Sequence, residues 1–310
     1  IFADDHAGQR FVDLLVAKAL EGVTVRLVVD HIGSRFLSKT TCQRLSASGV
    51  DLVFYNPISV DIRRRNWFDR LWQRNHRKVL IIDNTVAFIG GVNITFAATD
   101  WDDLHVRLNG ETRVMPLVKD FYETYEAVKH RQVFFDMSEQ AELTLPALSE
   151  QVSKNREIMF VGSAPHSGSD RRFMRKFYLE ALTKAQHSIV IFTPYYVPYK
   201  RFLTALTAAC KRGVAVTIIT PLKSDHRFVD YMSYYFLELS ERLGATIYLL
   251  PRMNHAKGFL IDDKYGLVGS SNFTHRAFRA NAESDVFFRN PAMIERLKTI
   301  IDGWKNAAAP

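Results

Sequence analysis

Residues 75–93 read NHRKVLIIDNTVAFIGGVN, and residues 254–272 read NHAKGFLIDDKYGLVGSSN. Both fit one frame, N-H-x-K-x4-D-x6-G-x-x-N, with His76 and His255 lying 179 positions apart. Upstream, Arg10-Phe11 and Gly22–Val25 correspond to Arg201-Phe202 and Gly213–Val216 at an offset of 191. Chance does not place two such frames in the same order, so the chain is a duplicated module.

Each copy alternates helical and strand patterns. Phe11, Leu14, Leu15 and Ala19 recur at helical spacing, as do Phe202, Leu203, Leu206 and Ala209. Strands are predicted at 23–29, 50–54, 79–82, 86–89 and 104–108 in copy one. Copy two answers at 214–219, 245–250, 258–261, 266–268 and 284–288. Closing helices are expected near Pro116 and Pro291, because proline suits the first turn. The fold class is α/β, with a mixed sheet flanked by helices in each half. The expected division is 1–135, a linker at 136–156 where periodicity fades, and 157–310. Copy two is preceded by a strand, a helix (Phe173 to Ala185) and the strand Ser188–Phe192, whereas Ile1 aligns with Phe192. About one strand, one helix and most of another strand of the first repeat, ~35 residues or more, are therefore expected to be missing before Ile1.

Composition narrows the function. The 310 residues carry 47% hydrophobic and 24% charged side chains, which fits a packed globular protein and excludes a mostly disordered one. Two cysteines, Cys42 and Cys210, make neither a disulfide framework nor a zinc knuckle. The longest apolar stretch, around Ile189–Val197, falls far short of the ~20 residues of a membrane span. A net charge of +8 favours a polyanionic partner, either nucleic acid or an anionic membrane surface.

Side chains alternate along a strand, so His76 shares a face with Lys78, and His255 with Lys257. A pseudo-two-fold axis would pool two imidazoles and two ammoniums in one site suited to a phosphodiester. One histidine attacks phosphorus while the other protonates the leaving alcohol. The lysines and nearby asparagines stabilise charge on the non-bridging oxygens. No metal ligation is expected, because a lysine between the candidate ligands repels a cation and no second ligand stands at zinc spacing.

The paired motifs resemble the phospholipase D superfamily in its single-chain, two-motif form. Finer features look like the bacterial cardiolipin synthases: Thr193-Pro194-Tyr195-Tyr196-Val197-Pro198, Asp30-x-x-Gly33-Ser34, Asp103-x-x-Val106-Arg107-Leu108-x-Gly110 and Asn281-x-Glu283. The resemblance implies two tandem phospholipase D-like modules around one shared active site and no cofactor. His76 would be the nucleophile and His255 the general acid/base, with Lys78, Lys257, Asn93 and Asn272 holding the phosphate. Asp103 and Glu283 would orient the histidines, although a surface salt bridge is the alternative for each. Asp83 and Asp262 would be structural. Tyr195, Asp225 and Ser270 would line the substrate site. Gly91 stands where copy two has Ser270, so the first half is expected to hold phosphate less tightly for want of a hydroxyl.

Between Asp61 and Lys78, seven basic residues (Arg63, Arg64, Arg65, Arg70, Arg74, Arg77, Lys78) alternate with Trp67, Phe68, Leu71 and Trp72. The pattern suits the headgroup boundary of an anionic bilayer, a core-packed helix with a solvated basic face, or a groove that stacks bases. Three functions follow. The first is a phosphatidyltransferase forming cardiolipin from phosphatidylglycerol through a phosphatidyl-histidine at a bacterial inner membrane. The others are a phospholipase, in which water captures that intermediate, and a metal-independent nuclease or nucleic-acid-binding module.

Overall fold

A computed structural model describes residues 1–57, 73–130, 157–163 and 168–308. Most of the aromatic-basic segment, including Arg63, Arg64, Arg65, Trp67, Phe68 and Trp72, lies outside the described residues.

The first half runs α1 (His6–Leu20), β1 (Arg26–Asp30), α2 (Lys39–Ala47), β2 (Asp51–Tyr55), β3 (Val79–Ile82), β4 (Val86–Gly90), β5 (His105–Asn109) and α3 (Glu111–Lys129). The second runs β6 (Ile158–Ser163), α4 (Gly168–Lys184), β7 (Ser188–Phe192), β8 (Tyr196–Val197), α5 (Lys200–Lys211), β9 (Ala215–Pro221), α6 (Arg227–Arg242), β10 (Thr246–Leu250), β11 (Gly258–Ile261), β12 (Tyr265–Gly269), β13 (Phe273–Thr274), α7 (His275–Arg279), β14 (Glu283–Phe288) and α8 (Pro291–Ala307). The fold is the expected mixed α/β architecture.

Seven strands form the sheet of the second half, in the order β10-β9-β7-β11-β12-β14-β6. Strands β7, β9 and β10 are parallel, and the remaining pairings are antiparallel. In the first half the equivalent strands form two pieces, β1-β2 (parallel) and β3-β4-β5 (antiparallel). The break between β1 and β3 falls where β7 stands in the second half.

The second sheet is buried on both faces, which is why its strands read as unbroken apolar runs. Ile189, Ile191, Ile218, Phe259 and Phe287 pack outward with Phe177, Tyr178 and Phe202 of α4 and α5. Their neighbours Val190, Phe192, Ile219, Leu260, Val286 and Phe288 face the other way. They meet Ala87, Ile89, Val106, Leu108 and Leu117 of the first half in one shared core. The halves are thus clamped sheet to sheet, with Trp304 of α8 closing the layer against Phe192.

Pro291 stands at the start of α8, as expected, whereas α3 begins at Glu111, five residues before Pro116. Gly110, at φ 95°, supplies a left-handed entry into that helix.

The motif aspartates sit in two equivalent tight turns. Asp83 and Asn84 have φ of 51° and 56°, and Asp262 and Asp263 have 52° and 51°. Asp and Asn tolerate this left-handed region better than most residues. Asp262 also accepts backbone N–H bonds from Gln186, His187 and Ser188 at 2.7–3.2 Å, tying the β11–β12 turn to the start of β7. Asp83 makes no side-chain bond among the described residues. Asp262→Asn is therefore expected to lower unfolding free energy by about 1–2 kcal/mol, against less than about 0.5 kcal/mol for Asp83→Asn, in urea titrations.

Candidate active site

The histidines and lysines lie in extended segments just before β3 and β11, not within the strands. Short bridges pin these segments to the opposite half. His76 N–H donates to the Ala282 carbonyl at 2.9 Å, and Ala282 N–H returns a bond to the Arg74 carbonyl at 2.8 Å. The symmetric set joins His255 N–H to the Asp102 carbonyl at 2.6 Å and Asp102 N–H to the Met253 carbonyl at 2.9 Å.

These bridges cross the carboxylates over. His76 Nδ1 donates to Oε2 of Glu283, from the second half, at 2.9 Å. His255 Nδ1 donates to Oδ2 of Asp103, from the first half, at 2.7 Å. Asp103 and Glu283 are buried partners of the histidines, so the surface salt-bridge alternative fails for both. The Lys78 ammonium donates to the His76 carbonyl at 2.7 Å, and the Lys257 ammonium donates likewise to the His255 carbonyl.

His76 Nδ1 also lies 3.0 Å from the Ser270 carbonyl. A carbonyl can only accept, so the Nδ1 proton is fixed and the Nε2 lone pair is left free. Burial, with the positive charges of Lys78 and Lys257, pushes the His76 imidazole well below its ordinary pKa. Burial and Lys257 push His255 down to about 3 against the opposing pull of Asp103. A phosphate anion between the lysines would raise both values, because it offsets the charges that depress them. His76 keeps 23% of its side-chain surface accessible and His255 only 4%. Trp101 lies over the His255 ring at 5.0 Å between centroids.

The two carboxylates differ. Burial opposes ionisation of Asp103, but the His255 hydrogen bond and the Lys257 charge outweigh it and hold the carboxyl below its usual range. Burial drives Glu283 up to about 7, despite Lys78 and the bonds from Ser270 and Asn281. Ser270 Oγ donates to Glu283 Oε2 at 2.5 Å, and Asn281 donates to Oε1 at 3.0 Å. The Ser270 hydroxyl thus supports the carboxylate that orients His76. At Gly91 a Cβ would lie 2.2 Å from Asp103 Oδ1, so the shorter carboxylate occupies that space. Serine with glutamate and glycine with aspartate are alternative fillings of one position.

Asn93 and Asn272 are buried in the loops leaving β4 and β12. The Tyr195 hydroxyl donates to Asp225, whose charge acts on Lys257. Arg74 and Arg77 do not belong to a solvated basic face. Arg74 is buried against Asp30 at 3.3 Å, and Arg77 pairs with Asp120 at 2.8 Å while reaching the Ser163 carbonyl. Sequence reasoning passed over Trp101, whose only signal is its position two residues before Asp103.

Two copies of one α/β module, sharing crossed histidine–carboxylate pairs around two buried lysines, define a duplicated phospholipase D-like protein. The chain belongs to the family described as cardiolipin synthase, PLD-like domain, whose model matches residues 2–128 and again 178–304. It is 33% identical over 307 residues to the "Probable cardiolipin synthase YwiE" of Bacillus subtilis, covering 96% of this chain and 58% of that protein. It is 31% identical to the "Major cardiolipin synthase ClsA" of the same organism, covering 96% of this chain and 61% of that protein. The chain thus spans about three fifths of the length of these relatives. The fold is shared with a phosphatidylserine synthase of Haemophilus influenzae (TM-score 0.71, 15% identity, covering 100% of this chain and 80% of that one).

Proposed function

We propose that the chain is the catalytic part of a membrane-associated phosphatidyltransferase that forms cardiolipin from phosphatidylglycerol, its two halves divided as 1–135 and 157–310. The observation that carries this reading is the crossed pair of histidines, each anchored through Nδ1 and presenting Nε2 beside two buried ammoniums. His76 Nε2 attacks the phosphorus of one phosphatidylglycerol. The P–O bond to its headgroup glycerol breaks, and His255, protonated at Nε2 once the bound phosphate has raised its pKa, delivers that proton to the departing alkoxide. The resulting phosphatidyl-histidine is attacked by a hydroxyl of a second phosphatidylglycerol. His255, now neutral, removes that hydroxyl's proton, and His76 leaves. Lys78 and Lys257, with Asn93 and Asn272, stabilise the charge on the non-bridging oxygens throughout.

Incubation with phosphatidylglycerol vesicles in chelator tests the reading. Cardiolipin and glycerol are the expected products. Phosphatidic acid would show water to be the acceptor, and DNA cleavage without lipid turnover would overturn the proposal.

A pH dependence follows from Lys78. Burial lowers this ammonium to about 8, against the attraction of Glu283, Asp103 and Asp30. The group is charged below that value and neutral above it, so phosphate stabilisation fades as pH rises through about 8. Turnover should fall on the alkaline side there. Lys78→Arg, which keeps its charge, should move that limb upward even where the maximal rate drops.

A further inference from the structure

Helix α6 buries an unexpected face. Ser233, Leu237 and Ser240 point inward, where Tyr196 N–H donates to Ser233 Oγ at 3.1 Å and the Tyr196 hydroxyl meets Ser240 Oγ at 3.0 Å. This seating turns aromatic residues of the first half of the helix to solvent. Phe228 is 79% exposed, Tyr231 76% and Tyr235 61%, at spacing i, i+3, i+7 along one stripe. Further along, the same side carries the Glu238–Arg242 ion pair. The apolar surface is therefore confined to the end of α6 that follows β9 and adjoins Asp225, whose charge acts on Lys257.

The first half repeats the feature. After β1, the strand equivalent to β9, Phe36 is 65% exposed with the Arg35 guanidinium 4.4 Å over its ring. Asp30, at the end of β1, acts on Lys78 as Asp225 acts on Lys257. Both exposed aromatic clusters thus follow equivalent strands, beside acids that act on the two site lysines. Arg35 and Lys223 are exposed in these loops, and Arg227 is exposed at the start of α6. The nearby acids are engaged, Asp225 by the Tyr195 hydroxyl and Asp230 by the Ser224 N–H at 3.2 Å.

We infer that this paired rim (Phe36 with Arg35, and Phe228, Tyr231 and Tyr235 with Arg227) seats the protein on the surface of an anionic bilayer, with the active site facing the headgroups. A negatively charged, partly apolar surface fits exposed aromatic clusters bordered by cations. Tyrosine and phenylalanine suit the interface because their rings bury while hydroxyls and cations stay hydrated. The inference rests on the phosphatidyltransferase reading for its substrate and on the rim alone for its contact.

The test compares the chain with a Phe228→Ser/Tyr231→Ser/Tyr235→Ser variant in sedimentation with phosphatidylglycerol vesicles. The variant is expected to bind at least ~10-fold more weakly while cleaving soluble bis(p-nitrophenyl) phosphate within about twofold of the parent rate. Tyr231→Trp/Tyr235→Trp should keep full vesicle affinity, and Arg35→Gln/Arg227→Gln should lose the preference for phosphatidylglycerol over phosphatidylcholine. Unchanged vesicle affinity in the serine variant overturns the inference. Rim-dependent vesicle binding with no lipid product would sink the enzymatic reading and leave the rim standing.

Discussion

Alanine at position 76 is expected to abolish turnover of every phosphodiester, a loss of at least ~10⁴-fold, because the covalent route disappears with its nucleophile. Among the described residues no nearby group can substitute. Lys78 is committed to the His76 carbonyl and to charge stabilisation, and the His255 side chain is almost fully enclosed. His255→Ala should behave differently, and the difference separates the two roles. With a lipid alcohol as leaving group the missing acid should cost about 10²–10⁴-fold. With a p-nitrophenyl phosphodiester the leaving group departs without a proton, so the first step should lose less than about tenfold. The second step still needs a base to activate the acceptor. A phosphoryl adduct should therefore accumulate on the His255→Ala protein, visible as a mass increase that maps to the peptide containing His76. An adduct on His255 in the His76→Ala protein would reverse the assignment, and equal losses on both substrates would remove His255 from proton transfer.

Much of the scaffold is legible in the residues. β3, β7 and β11 begin and end where the apolar runs do; for β7 and β11 burial on both faces leaves a sharp compositional edge, whereas β3 leaves Leu80 and Ile82 exposed. Helix α6 escapes such reading because its periodicity is inverted: two serines face the core, satisfied by Tyr196, while Phe228 and Tyr231 face water. Helix α2 is hidden by a polar sequence and held at its start by the Ser38 side chain. The site is half legible. The two H-x-K motifs and the equivalent placement of Asp103 and Glu283 announce themselves through repetition. Which carboxylate serves which histidine does not, since each pair joins residues more than 150 positions apart across the interface. Repetition suggests that each copy serves itself, whereas the bridges at Asn75–Ala282 and Asp102–Asn254 exchange the partners. The Ser270 hydroxyl was legible as a site residue but not as a donor to Glu283, because that contact is set by the pairing of β12 with β14 within the second half.

That exchange makes the carboxylates unequal, and their amides should reveal it. Asp103 is the only described partner of His255 Nδ1 and is held ionised by His255 and Lys257. In Asp103→Asn the amide can turn its NH2 toward Nδ1, which moves the ring proton to Nε2 and removes the lone pair needed to accept a proton. A loss of about 10³–10⁴-fold in kcat is expected, as when an orienting carboxylate is lost from a triad. Glu283→Gln should be far milder. The Ser270 carbonyl, 3.0 Å from His76 Nδ1, still demands a proton there, so the reactive tautomer survives the substitution. Glu283 moreover titrates near 7, being neutral below that pH and ionised above it. Its amide therefore copies the acidic form, and the loss should be small at pH 6 and grow toward about tenfold at pH 8.5, where the parent gains a negative charge that the variant lacks. Side-by-side pH profiles of the two amides measure this directly. Equal, pH-independent losses would mean that the Ser270 carbonyl does not hold the His76 tautomer, and that the two halves contribute identical orienting groups despite their different packing.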